Sequence, residues 1–162
     1  MPQNGLYNNK IFKNSTEMSV VKSKRTQSKI EFEMTFFKVA DGVDFLVENQ
    51  FFADYEQMQE HKIFISSRSM SLERLTDSLL YYIKIANSIY PTCMAEWDER
   101  RVSIGKAIGT CYAILTNYQR IMIRLRIKND KYTENINNVT KMINSLKAWR
   151  KSDNRLKTKF ED

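Results

Sequence analysis

From Ser28 to Lys151 the apolar residues of this chain recur at intervals of three and four, with almost no alternation of period two. That spacing puts them on one side of a helix of 3.6 residues per turn, and a strand would scatter them over both faces. The pattern falls into four runs. Phe32, Phe36, Val39, Val43 and Leu46 define a first helix over residues 28–48, opened by a capping box of Ser28 and Glu31. Gly42 lies inside it, at a cost of about 1 kcal/mol relative to Ala. Leu72, Leu75, Leu79, Tyr82 and Ala86 define a second over residues 62–90, stopped by Pro91. Thr92 is placed to cap a third, whose inward positions are Ile104, Ile108, Cys111, Leu115, Tyr118, Met122 and Leu125 and which Lys128, Asn129 and Asp130 end. A fourth covers residues 131–151, with Tyr132, Ile136, Val139, Ile143, Leu146 and Trp149 inward. Long helices joined by short polar links pack most simply as an all-α, antiparallel up-down-up-down four-helix bundle.

On this reading the bundle spans residues 28–152, with a flexible basic N-terminal tail at 1–27 and a basic C-terminal tail at 153–162. A chain of 162 residues suits one such domain, and four Gly and two Pro are too few for a turn-rich β protein. The first residues hold no apolar core of an export signal, and no apolar run is long enough to span a membrane. Cys93 and Cys111 make no disulfide framework, so the expected location is the cytoplasm.

The net charge of +7 is unevenly placed: about +4 over residues 1–27, −6 over 28–61, +6 over 62–131 and +3 over 132–162. An acidic first helix is thus followed by a basic body. The third helix concentrates the effect, because Lys106, Asn117, Arg120, Arg124 and Lys128 fall on one stripe without a carboxylate. Lys22, Lys24 and Arg25 precede the first helix, and Arg150, Lys151 and Arg155 close the fourth. Basic groups release counterions from phosphates, so these clusters point to a polyanion; a merely solvated surface is the other reading of the same charges.

The third helix also carries apolar residues beyond its core stripe. Gly105, Gly109, Tyr112, Thr116, Ile123 and Ile127 lie to one side, Ile114 and Ile121 to the other. The surplus suggests burial against another subunit, with Gly105 and Gly109 admitting a close backbone approach; a wider core within one chain is the alternative.

Catalytic equipment is sparse. His61 is the only histidine, which excludes a di-iron bundle site and a multi-histidine zinc site. Glu96, Asp98 and Glu99 suit the start of the third helix, where Arg100 and Arg101 neutralise them. No phosphate-binding glycine loop occurs. The chain reads as a non-enzyme with no cofactor and no metal.

Several segments together resemble one family: Lys22-Ser23-Lys24-Arg25, Ala86-Asn87-Ser88-Ile89-Tyr90-Pro91, Arg100-Arg101, Ala107-Ile108-Gly109-Thr110-Cys111 and Trp149-Arg150-Lys151-Ser152-Asp153-Asn154-Arg155. In order and spacing the chain resembles the accessory variability determinant proteins of diversity-generating retroelements, which are similar in fold to the 23S rRNA intervening-sequence proteins. The resemblance covers about residues 20–156. It implies a basic, ring-shaped homopentamer of four-helix bundles that binds the element's reverse transcriptase and template RNA, and possible contact with the cDNA, during mutagenic retrohoming. By the same match Arg100, Arg101, Arg150, Lys151 and Arg155 become polyanion or partner contacts. An RNA-binding bundle of the intervening-sequence type and a purely structural oligomerisation protein are the alternatives. Neither involves a membrane.

Overall fold

A computed structural model describes residues 32–160. The chain divides into two units, the first ending at Met34 and the second starting at Thr35. Residues 32–34, Phe32 among them, are helical in the first unit. The expected capping box of Ser28 and Glu31 and the tail at residues 1–27 lie outside the described residues.

Every regular element among the described residues is helical. The order is α1 (residues 32–48), α2 (Tyr55–Glu60), α3 (Lys62–Ser88), α4 (Met94–Arg124) and α5 (Thr133–Lys157), with 3-10 turns at Gln50–Phe52 and Asn129–Tyr132. No described helix is long and apolar enough to cross a membrane.

In the second unit α1 buries Phe36, Val39, Val43 and Leu46, the predicted positions. Gly42 has a packing reason: a Cβ there would overlap the side-chain amide of Asn135 on α5. The link from α1 to α3 departs from the expected short polar connection. Asn49 Nδ2 donates to the Phe45 carbonyl at 2.7 Å, and Gln50, Phe51 and Phe52 then adopt φ of 46°, 60° and 63°. Left-handed backbone costs a residue with a Cβ about 1–2 kcal/mol. Complete burial of Phe51 offsets part of that, at about 1.5–3 kcal/mol for such a side chain. Phe52 packs edge-on against Phe45 and Tyr132, with ring centroids 5.9 and 6.3 Å away.

The next element, α2, opens with a reciprocal cap: Asp54 Oδ1 accepts from the Gln57 backbone N–H at 2.8 Å, and Gln57 Oε1 accepts from the Asp54 N–H at 3.0 Å. The other end of the same amide, Gln57 Nε2, donates to the Leu125 carbonyl just past α4, 2.7 Å away.

Helix α4 packs against both α3 and α5. It therefore buries two faces. Ile104, Ile108, Cys111 and Tyr118 lie inside as predicted, as does Leu125 just beyond the helix, whereas Leu115 and Met122 are half-buried. Ile114 and Ile121, read above as surplus surface for a partner, are fully buried within the chain. On α3, Ile65 and Ile83 join Leu72, Leu79 and Ala86 in the core, and Leu75 and Tyr82 are half-buried. On α5, Tyr132, just before the helix, together with Val139, Ile143 and Leu146 matches the reading, and Met142 is added; Ile136 and Trp149 are half-buried.

Three helix ends differ from expectation. Cys93, not Thr92, is the N-cap residue of α4; Thr92 instead donates its backbone N–H and its hydroxyl to Glu96 Oε2, at 2.7 and 2.8 Å. Those two bonds hold the Glu96 carboxyl below its ordinary range. At its other end α4 stops at Arg124 in a Schellman turn, with Ile127 N–H bonding Met122 O at 3.0 Å and Arg126 in the left-handed position at φ 51°. Finally, α5 runs on to Lys157, so a tail beginning at residue 153 is corrected: Asp153 is helical and buried.

Candidate nucleic-acid interface

Periodicity placed five residues of the third helix on one basic stripe, and the structure divides them. Arg120 and Arg124 are exposed on the last turns of α4, without an ion-pair partner among the described residues. Lys106 is exposed and holds its ammonium 5.6 Å from the centre of the Tyr82 ring on α3. Asn117 turns inward instead: it is 8% exposed, accepts from Arg68 Nη1 at 2.9 Å and donates to the Ala113 carbonyl at 3.0 Å. Lys128 lies past the Schellman turn, outside the register of α4, and opens the 3-10 turn that leads to α5.

Arg100 and Arg101 occupy the opposite end of α4, about 30 Å from Arg120 at 1.5 Å per residue. Both are tied to α5. Arg100 Nε lies 3.0 Å from Asp153 Oδ2, with the two side chains 15% and 5% exposed. The N–H does not point along that contact, so the pair is held by charge more than by an aligned hydrogen bond. The Arg100 guanidinium sits 5.1 Å from the Trp149 ring centre and donates from Nη1 to the Ile89 carbonyl at 3.3 Å. Arg101 Nη1 donates to Asn154 Oδ1 at 2.6 Å, and its guanidinium lies 5.0 Å from the Trp97 ring centre. The Trp97 indole N–H donates to the Asp153 carbonyl at 2.9 Å. Burial pushes the Asp153 carboxyl above its ordinary range, and the pull of Arg100 and Arg101 opposes this without cancelling it. Arg100 and Arg101 thus join α4 to α5, and among the described residues neither forms an ion pair with Glu96, Asp98 or Glu99.

On α5, Lys151 and Arg155 are exposed one turn apart, while Arg150 is half-buried. Lys147, one turn before Lys151, extends the same face and reaches across to α4, where Nζ lies 2.9 Å from the Tyr112 hydroxyl. A four-residue spacing of Lys147, Lys151 and Arg155 was the signal for it. Lys22, Lys24 and Arg25 lie outside the described residues. The basic groups therefore gather in two places, at the C-terminal end of α4 and around the C-terminal half of α5.

The strip expected to meet another subunit divides between exposed and half-buried residues. Gly109, Tyr112 and Ile123 are exposed, Ile123 to 78%, and Gly105 is half-buried. A Cβ at Gly105 or Gly109 meets nothing within 4 Å among the described residues, so neither glycine serves packing against them. Ile127 leaves the strip, because the Schellman turn carries it off the helix. Cys111 is enclosed on the other side of α4, and burial raises its thiol pKa to about 12, which leaves it protonated and a weak nucleophile at neutral pH.

No family model, curated protein or solved structure matches the chain.

Proposed function

We propose that this chain is a non-catalytic accessory subunit of a diversity-generating retroelement reverse transcriptase, binding the polymerase and its template RNA to support mutagenic cDNA synthesis. The observation that carries the reading is the exposed pair Arg120 and Arg124 on α4, two cations without a carboxylate partner among the described residues. Such groups bind phosphates by charge and shape, without reading sequence. The fold proposed with it is the antiparallel four-helix bundle. It is supported by contacts that rise along one helix while falling along the next: Arg68 with Asn117 and Tyr82 with Lys106, then Trp97 with Asp153 and Tyr112 with Lys147. The strip of exposed Gly109, Tyr112 and Ile123, with half-buried Gly105 beside them, supports assembly of such bundles, which the family resemblance makes a homopentamer.

Co-purification tests the proposal. A tagged protein expressed beside its neighbouring polymerase should retain both the enzyme and the template RNA at moderate salt. RNA without polymerase would favour the intervening-sequence type. Retention of neither would leave a structural oligomerisation protein and overturn the reading.

A further inference from the structure

We propose that an open groove along α3, built on Arg68 and Arg74, seats successive phosphates of a single nucleic-acid strand. The inference rests on the nucleic-acid reading above and adds to it a face that the sequence did not single out. Ser67, Ser71, Arg74 and Ser78 recur at intervals of four, three and four, so one side of α3 presents them all. With Arg68, Met70 and Leu75 they line a groove of about 450 Å³. Its polar groups are hydroxyls and guanidiniums, with no carboxylate among the lining residues.

Arg68 is the fixed element. Its Nη1 bonds Asn117 Oδ1 at 2.9 Å, its Nη2 bonds Ser67 Oγ at 3.1 Å, and its guanidinium lies 5.7 Å from the Phe64 ring centre. All of these partners are neutral. Its Nε is sealed from solvent without a hydrogen-bond partner among the described residues, and no carboxylate there pairs with it. A partly buried charge that is oriented but not neutralised favours an anion beside it, and its orientation has already been fixed before binding.

Arg74 supplies a second positive charge, exposed and unpaired among the described residues. It stands six residues further along α3, a rise of about 9 Å. That separation exceeds one phosphate group, so the two guanidiniums suit neighbouring charges on a strand better than one free ion. Between them Ser71 has a hydroxyl with no recorded acceptor among the described residues, and Met70 and Leu75 offer apolar surface to sugars and base edges. Ser67 also lines a second depression, together with Glu60, His61, Lys62, Phe64 and Arg124. The α3 site therefore adjoins the Arg124 end of the α4 interface.

The experiment is fluorescence anisotropy of the full chain with a labelled twelve-nucleotide oligouridylate, titrated over a range of salt concentrations. Arg74→Gln should weaken binding about 3- to 10-fold and flatten the salt dependence by about 0.7 in log K against log salt, the value for one phosphate on a single strand. Arg74 makes no side-chain hydrogen bond or ion pair to another helix among the described residues, so circular dichroism should be unchanged; Arg68→Lys, which keeps the charge but loses the fork, should give a smaller loss. A folded Arg74→Gln protein with wild-type affinity and salt slope overturns the inference. If Arg120→Gln with Arg124→Gln then loses binding, the nucleic-acid reading survives without the α3 groove. No binding of the oligonucleotide by the wild type removes both. Competition by polyglutamate as effective as that by unlabelled oligouridylate would overturn the phosphate assignment in favour of an acidic protein, and displacement by inorganic phosphate at equal concentration would reduce the site to a free-ion seat.

Discussion

Gly42 on α1 and Asn135 on α5 are so close that the glycine's missing methyl group would occupy the space of the Asn135 amide. Asn135 is 8% exposed and has little room to withdraw. In an open helix Ala would gain about 1 kcal/mol over Gly. Here overpacking, at about 1–3 kcal/mol, should win. Gly42→Ala is expected to lower stability by about 1–2 kcal/mol, and Gly42→Ala with Asn135→Ala should recover most of the loss. Urea melts of the two single variants and the double one measure the coupling; additive effects would show that the two sites are independent.

The buried carboxyl of Asp153 predicts a pH dependence. Its folded pKa is raised, so between the unfolded value of about 3.9 and the folded one the native chain keeps a proton that the unfolded chain has released. The resulting stabilisation is complete below about 3.9 and disappears as pH rises through the folded pKa. Asp153→Asn cannot titrate. The stability of wild type minus that of the variant should therefore fall as pH rises from the acid side, then level off. A difference that stays flat or increases over that range would contradict the assignment.

Arg100 and Arg120 should behave differently although both are basic residues of α4. Arg100→Gln leaves the Asp153 carboxylate buried and poorly paired, at an expected cost of about 3 kcal/mol. Arg120→Gln with Arg124→Gln should leave stability within about 0.5 kcal/mol, as for ordinary surface changes, while reducing RNA affinity and flattening its salt dependence. Thermal melts and filter binding on the same samples separate the two effects. Unchanged affinity in the double variant would remove the α4 interface.

Gly109 tests assembly. A Cβ there meets nothing within 4 Å among the described residues and the position is exposed, so Gly109→Trp should fold with unchanged helical content. If the strip of Gly105, Gly109, Tyr112 and Ile123 joins subunits, light scattering should show the wild type as an oligomer and the variant as a smaller species. A monomeric wild type defeats the proposal.

How far the sequence could be read depended on how local each cause was. The inward residues of α1 follow from spacing alone, because that helix buries one face. Spacing was less informative for α4, which buries two: Trp97, Ile114 and Ile121 belong to its core, and an amphipathic reading assigns such residues to a surface. The left-handed turn at Gln50–Phe52 has no glycine to announce it, and α2 is too short for periodicity; its trace was the pair Asp54 and Gln57. Arg100 and Arg101 were visible as charges, but Asp153 and Asn154 lie more than fifty residues away in sequence and only tertiary packing makes them partners. Arg68 went unread for a similar reason, since its significance comes from contact with Asn117 on α4.

Gln57 uses the two ends of one amide for separate helices, accepting at the start of α2 and donating beyond the end of α4. A glutamate in its place would complete the first bond and set oxygen against oxygen at the second. The two helix ends should consequently open together. In hydrogen exchange, the first amides of α2 and those of the turn after α4 should lose protection together, as one cooperative unit assembled from segments 68 residues apart.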